Sequence, residues 1–227
     1  MDSVDVTTIL QDVRVILDQN AEGFDVPGVG EYTLEMNDVI KKSIVPAVQW
    51  AHMNAPVTKL KGVDFLENTE LEGNALKLPG DFMRLVTIRV DKWKRALSTY
   101  LLEDDPQVSQ ILSGYPGLMP TADRPSMVLR QENGDNYLLL YPFESDDDSS
   151  DDSSDDSSGD VTEGDSVVSA RYIPFPEITD ESDSSDESET VDIEPAVYQA
   201  FLYYLAHLVK LSYNEESKFE EQAKTML

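Results

Sequence analysis

The chain has 227 residues, 40% of them apolar and 8% aromatic, enough for one substantial core or two small ones. It has no Cys, which excludes disulfides, thiolate zinc sites and cysteine nucleophiles. The net charge of −28 sits largely in two runs: Glu144 to Asp165 holds 11 acids and no base, Glu177 to Glu194 holds 9 acids and no base, and the remainder carries only −8.

Taken in chain order, the spacing of Val6, Ile9, Leu10, Val13, Ile16 and Leu17 predicts a helix over 3–20, with Ser3 as its cap. Acids open the N-terminus where a signal peptide needs bases, so none is expected. No run approaches 18 uninterrupted apolar residues, so no membrane partner is expected. A Gly-rich loop over 21–30 leads to a second helix over 32–54, whose stripe comprises Leu34, Ile40, Ile44, Val48 and Trp50 or Ala51. Pro46 lies inside it and should kink it.

From 57 to 143 the runs shorten. Strands are predicted at 63–66, 84–91, 97–102, 126–131 and 136–141, with a hairpin across Glu132-Asn133-Gly134-Asp135. A short helix is expected over 105–112 and a turn-rich loop over 113–125. The first acidic run offers nothing to bury and its charges repel. A strand follows over 166–178, then the second acidic run. Both runs read as long loops at sheet ends. Pro195 starts a last helix in which Val197, Phe201, Leu202, Leu205, Leu208, Val209 and Leu211 cover nearly the whole circumference. The tail 214–227 keeps Phe219, Ala223, Met226 and Leu227 at helical spacing, and its partner is expected outside its own core.

The predicted fold is α+β: a helical part from residues 1–56 and 192–227, and a mainly antiparallel β-rich insertion over 57–191 carrying acidic loops at 144–165 and 177–192.

Candidate chemistry is sparse. His52 and His207 lack the spacing of a metal pair, so no metal or cofactor is expected. Carboxylates are so abundant that no pair stands out as acid and base, and no catalytic residue is assigned. The Asp-Ser run lacks the glycine register of an EF-hand loop. The dense basic cluster is Arg84, Arg89, Lys92, Lys94 and Arg95 around Trp93. It reads as a partner interface in preference to a nucleic-acid site, because the whole-chain field repels phosphate. The interface candidates are therefore Arg84, Arg89, Trp93, Lys94 and Arg95, with Phe219, Met226 and Leu227 in the tail.

Residues 78–95, LPGDFMRLVTIRVDKWKR, resemble a segment of the podovirus tail tubular protein A family and related head-to-tail adaptors. Leu78-Pro79 precedes Asp81-Phe82, then come the Arg84-Leu85-Val86 strand and the Trp93-Lys94-Arg95 turn. The hairpin at Asn133-Gly134, the strand ARYIPFP and the closing helix AVYQAFLYYLAHLVK follow in the same order. Ring proteins of the crAss-like gut phages look like a close group. The two Asp-Ser inserts depart from the pattern. The resemblance implies a virion protein of the tail or neck, assembled in the bacterial host cytoplasm. It implies a homo-oligomeric ring, commonly of twelve copies, docked below the portal protein. Such a ring meets the next tail ring or nozzle protein and lets DNA pass without specific binding. The alternative considered is a tail-associated polysaccharide hydrolase.

Overall fold

The computed structural model describes residues 2–19, 31–65, 71–113, 117, 119–143, 167–181, 188–213 and 217–227. The fold is α+β, as the sequence predicts. Its chain divides into two compact units, Met1–Gly62 with Phe175–Leu227, and Val63–Pro174.

The first unit begins with a short strand, β1 (Asp2–Asp5), and helix α1 (Val6–Gln19). The predicted helix thus starts three residues late, and Ser3 lies in the strand. Asp5 takes the capping role instead: its carboxylate accepts from Thr7 N–H at 2.6 Å and from the Thr7 hydroxyl, which satisfies a first-turn donor. These bonds hold the Asp5 carboxyl below its ordinary value. All six apolar positions of the predicted stripe are buried.

Helix α2 (Glu31–Asn54) continues on both sides of Pro46. Ile40, Ile44, Ala47, Val48 and Ala51 are buried, while the side chain of Leu34 is outside those described. A 3-10 turn (Val57–Lys59) follows. After the second unit the chain returns as strands β10 (Ile178–Glu181) and β11 (Ser188–Ile193). They form a three-stranded antiparallel sheet in the order β1-β11-β10.

This sheet corrects the reading of 177–192 as a loop at Ile178–Glu181 and from Ser188 on, while 182–187 lie outside the described residues. Ser188 to Ile193 contains Thr190, Val191 and Ile193, all buried, and the acids around them hide that apolar face in the sequence. The two compact units place the insertion at 63–174 rather than 57–191, since β11 pairs with the N-terminal strand β1 and β10 pairs with β11. The unit closes with a 3-10 turn (Pro195–Val197), α4 (Tyr198–Ser212) and α5 (Phe219–Met226). Helix α4 packs against α1, α2 and α5.

The inserted unit holds two sheets. One contains β2 (Val63–Asp64), β9 (Val167–Pro174) and β5 (Phe82–Val90), in that order. The other runs β3 (Leu71–Glu72), β4 (Ala75–Lys77), β8 (Asp135–Tyr141), β7 (Ser126–Glu132), β6 (Leu101–Leu102). The predicted hairpin joins β7 to β8, with Asn133 at φ 54° and Gly134 at φ 93°. Both lie in the left-handed region that a two-residue hairpin turn requires.

The predicted strand 97–102 shrinks to a bridge between Leu97 and Ile88 and to β6, which pairs parallel with β7. The β3–β4 hairpin around Gly73 (φ 57°) was not anticipated. Pro106–Leu112 is helix α3, capped by Asp105 through Gln107 N–H at 2.8 Å. One buried cluster draws on both sheets, through Leu76, Leu85, Ile88, Val90, Met127, Leu138, Leu140, Ala170 and Tyr172, with Trp93 among them.

Candidate interface surfaces

Strand β5 carries the basic segment. Leu85, Val86, Ile88 and Val90 are buried and Arg89 is exposed. The pairing with β9 is irregular at three places along it, so simple alternation does not hold. Arg84 is only half-exposed, and burial draws its guanidinium below the ordinary arginine value, against the opposing effect of Tyr100.

Trp93 is a correction. The sequence places it on an interface, but it is 1% exposed and its indole N–H donates to the Pro142 carbonyl at 2.9 Å. A buried indole needs such an acceptor, and the turn after β5 folds it into the core. Lys94 is exposed and meets Asp123 at 2.7 Å, while its backbone N–H donates to the Ala122 carbonyl at 3.0 Å. Arg95 is exposed. The structure therefore brings Arg89, Lys94 and Arg95 to the surface and withdraws Trp93. It adds Arg171, exposed on β9 opposite Thr87. Nothing in the local sequence ties Arg171 to this cluster, because the link is a long-range strand pairing.

The tail is a second correction. Phe219 is 4% exposed and Ala223 is fully buried. The Phe219 ring lies 6.0 Å from Tyr203 and 5.4 Å below the Lys210 ammonium, both on α4. Glu220 stands 3.6 Å from His207 Nε2 and 2.6 Å from Lys224. Lys59 Nζ donates to the Met226 carbonyl at 3.0 Å. The thin stripe Phe219–Ala223 thus finds its groove on α4 of the same chain. Met226 remains exposed and Leu227 partly so. Helix α4 is less uniformly buried than its composition suggests: Leu211 is exposed and Leu208 half-exposed.

The helical unit also contains a polar centre that the sequence does not reveal. Glu194 is 1% exposed. Its carboxylate accepts from the N–H groups of Lys61 and Gly62 at 3.0 and 2.8 Å, and its own N–H donates to His52 Nε2 at 3.2 Å. A buried carboxylate with two backbone donors is a satisfied group. It ties the chain leaving α2 to the segment that starts α4.

Two tyrosines are similarly held. Tyr198 donates to Asp12 at 2.7 Å and Tyr172 to Asp81 at 3.0 Å. Burial first, then the neighbouring carboxylate, pushes the Tyr172 hydroxyl up to about 12 and that of Tyr198 higher still. Trp50 stacks on Tyr204 at 3.9 Å.

Among the described residues, no three His, Asp or Glu side chains gather in a way that could hold a metal ion. No helix among them is long and apolar enough to cross a membrane. Comparison with known protein families and with curated proteins found no family model and no curated protein that matches this chain.

Proposed function

We propose that this chain is a structural, non-enzymatic subunit of a phage head-to-tail connector, forming a ring docked to the portal and extending the DNA channel. The observation that carries the reading is the place of the 78–95 segment. The residues that resemble the adaptor family are the scaffold of the inserted unit. Leu78, Leu85 and Val86 are buried there, Asp81 receives the Tyr172 hydroxyl, and Trp93 fills the core. The helical unit assembled from both chain ends, with a β unit inserted, is the architecture that this resemblance implies.

A closed ring needs heterologous contacts between copies. Exposed apolar residues are available for them in each unit: Leu102, Leu112 and Met119 in one, Leu211 and Tyr213 in the other. An acidic chain presents few phosphate contacts, which suits DNA that must pass without binding. The portal contact is assigned to the end of the tail, exposed Met226 and half-exposed Leu227, since Phe219 is already engaged. The other face of the ring would receive the next tail ring or nozzle protein. The assembly would form in the host cytoplasm and end in the virion.

The mass of the purified chain, alone and with portal rings, tests this. Ring assembly, in twelve copies, and co-migration with portal support it. A monomer that ignores portal and turns over envelope polysaccharide would instead support the tail-associated hydrolase.

A further inference from the structure

His52 lies in the last turn of α2 and is 0% exposed. Its Nε2 accepts the Glu194 N–H at 3.2 Å. A ring nitrogen accepts a hydrogen bond only through a lone pair, so this bond requires a neutral imidazole with its proton on Nδ1. An imidazolium carries a proton on both nitrogens. Proton uptake at His52 would set one donor against another inside the helical unit, and would place a charge away from water.

Glu194 is held through its N–H, its carbonyl and its carboxylate alike. The N–H goes to His52. The carbonyl accepts from Val197 N–H at 3.0 Å, and Oε1 accepts from Lys61 and Gly62 N–H at 3.0 and 2.8 Å. Three stretches of chain thus meet on one residue: the end of α2, the turn that opens α4, and the pair Lys61-Gly62. Gly62 is the last residue of the helical unit before the chain enters the inserted unit.

The charged groups on the elements around α2 do not replace this bond. Lys61 is exposed, and Lys59 is turned to the Met226 carbonyl. On α4, Tyr204 stacks on Trp50; burial first, then Glu220, raises its hydroxyl above the ordinary tyrosine value, against the effect of Lys224, so it stays neutral at and below neutral pH. His207, also on α4, lies against Tyr204 and Glu220. Arg14 of α1 reaches the opposite end of α2, at Asn37. The carboxylate facing this corner is that of Glu194, and it is engaged by two backbone N–H groups.

We propose that His52 and Glu194 form an acid-released latch on the chain where it leaves the helical unit for the insertion. At neutral pH the uncharged ring holds Glu194, and Glu194 holds Lys61-Gly62. In acid, the open latch takes up a proton on His52 that the closed latch excludes. Closure is therefore complete above the ordinary histidine range, about 6.5, and is lost as pH falls below it. One proton taken up on opening raises the opening constant by up to about tenfold per pH unit, or roughly 30-fold between pH 7.5 and 5. The inference concerns one chain and does not depend on the connector reading.

Two measurements on the full chain test the latch. Nitrogen NMR of the His52 ring at neutral pH should show the proton on Nδ1 and a bare Nε2. A proton on Nε2 overturns the proposal outright. Hydrogen exchange, corrected for the intrinsic rate of each amide, should show Lys61, Gly62 and Glu194 losing protection by roughly 30-fold between pH 7.5 and 5, while the amides of β7 and β8 keep theirs. His52→Gln sets a side-chain carbonyl in the place of Nε2, which accepts at any pH, and should flatten this dependence. His207→Gln should leave it as in the wild type; the chain has no third histidine. Unchanged protection at the three amides in acid, a loss that persists in His52→Gln, or a loss that His207→Gln abolishes overturns the proposal. Should His52→Gln fail to fold, the two wild-type measurements decide alone.

Discussion

The helical unit and the inserted β unit each owe their stability to different means. Among the described residues, the buried polar side chains His52, Thr190, Glu194 and His207 all belong to the helical unit. The β unit's buried cluster is apolar apart from the Trp93 N–H and the Tyr172 hydroxyl, and both reach acceptors. A packed apolar core resists through volume and shape. A buried polar network resists through complete pairing, and deleting one member leaves its partners desolvated and unmatched. The β unit should therefore be most sensitive to lost volume, and the helical unit to lost partners.

The largest effect is expected from Trp93→Ala. It empties the centre of the β unit and should cost about 3–5 kcal/mol. Hydrogen exchange should speed up in β5, β7, β8 and β9 while α4 keeps its protection. Equal loss in both units would erase the distinction between them.

Glu194→Ala is the reciprocal experiment. It strands the Lys61 and Gly62 N–H groups and should cost about 2–4 kcal/mol, with lost protection in α2 and α4 rather than in β5. Glu194→Gln keeps one acceptor and should recover part of that loss. If the alanine variant unfolds at the wild-type denaturant midpoint, the polar centre does not stabilise the helical unit.

Truncation after Tyr213 comes next. It removes Phe219 and Ala223 from the face of α4, so the helical unit should lose about 1.5–3 kcal/mol by the burial of one large side chain yet remain folded. An unchanged denaturant midpoint would mean that α5 adds nothing to that unit.

The smallest effect is alkaline. Both Tyr172 and Tyr198 have hydroxyls raised above the ordinary tyrosine value. A raised pKa in the folded state gives stability that is complete below the unfolded value, about 10, and is lost as pH climbs through the folded value. The β unit, through Tyr172, should weaken between pH 10 and about 12, and the contribution of Tyr198 to the helical unit should persist to higher pH. Unfolding free energies across this range, for wild type and for Tyr172→Phe and Tyr198→Phe, should show each variant losing its share of the alkaline slope. An unaltered slope would rule out these hydroxyls as its source.

The same contrast explains which features were legible in the sequence. Local signals were sufficient where one interaction decides the structure. The three- and four-residue spacing placed the buried face of α1, and Asn133-Gly134 placed the β7–β8 turn. They failed where distant segments decide. Ser188–Ile193 reads as acidic loop, yet β1 and β10 complete a sheet around Thr190, Val191 and Ile193. Glu194 reads as a residue before a helix, and only folding brings Lys61, Gly62 and His52 to it. Trp93 among bases reads as an interface, because composition cannot say that the turn after β5 points the indole at Pro142. The exposure of Arg89 and Arg95 was within reach of the sequence; the pairing that sets Arg171 opposite Thr87, two residues from Arg89, was not.

The connector reading is tested most directly by the rotational symmetry of the purified chain mixed with portal rings, seen in electron-microscope class averages. The expected result is a closed ring, twelve-fold, stacked coaxially on the portal around an open channel. Dispersed single subunits beside bare portal rings would contradict it.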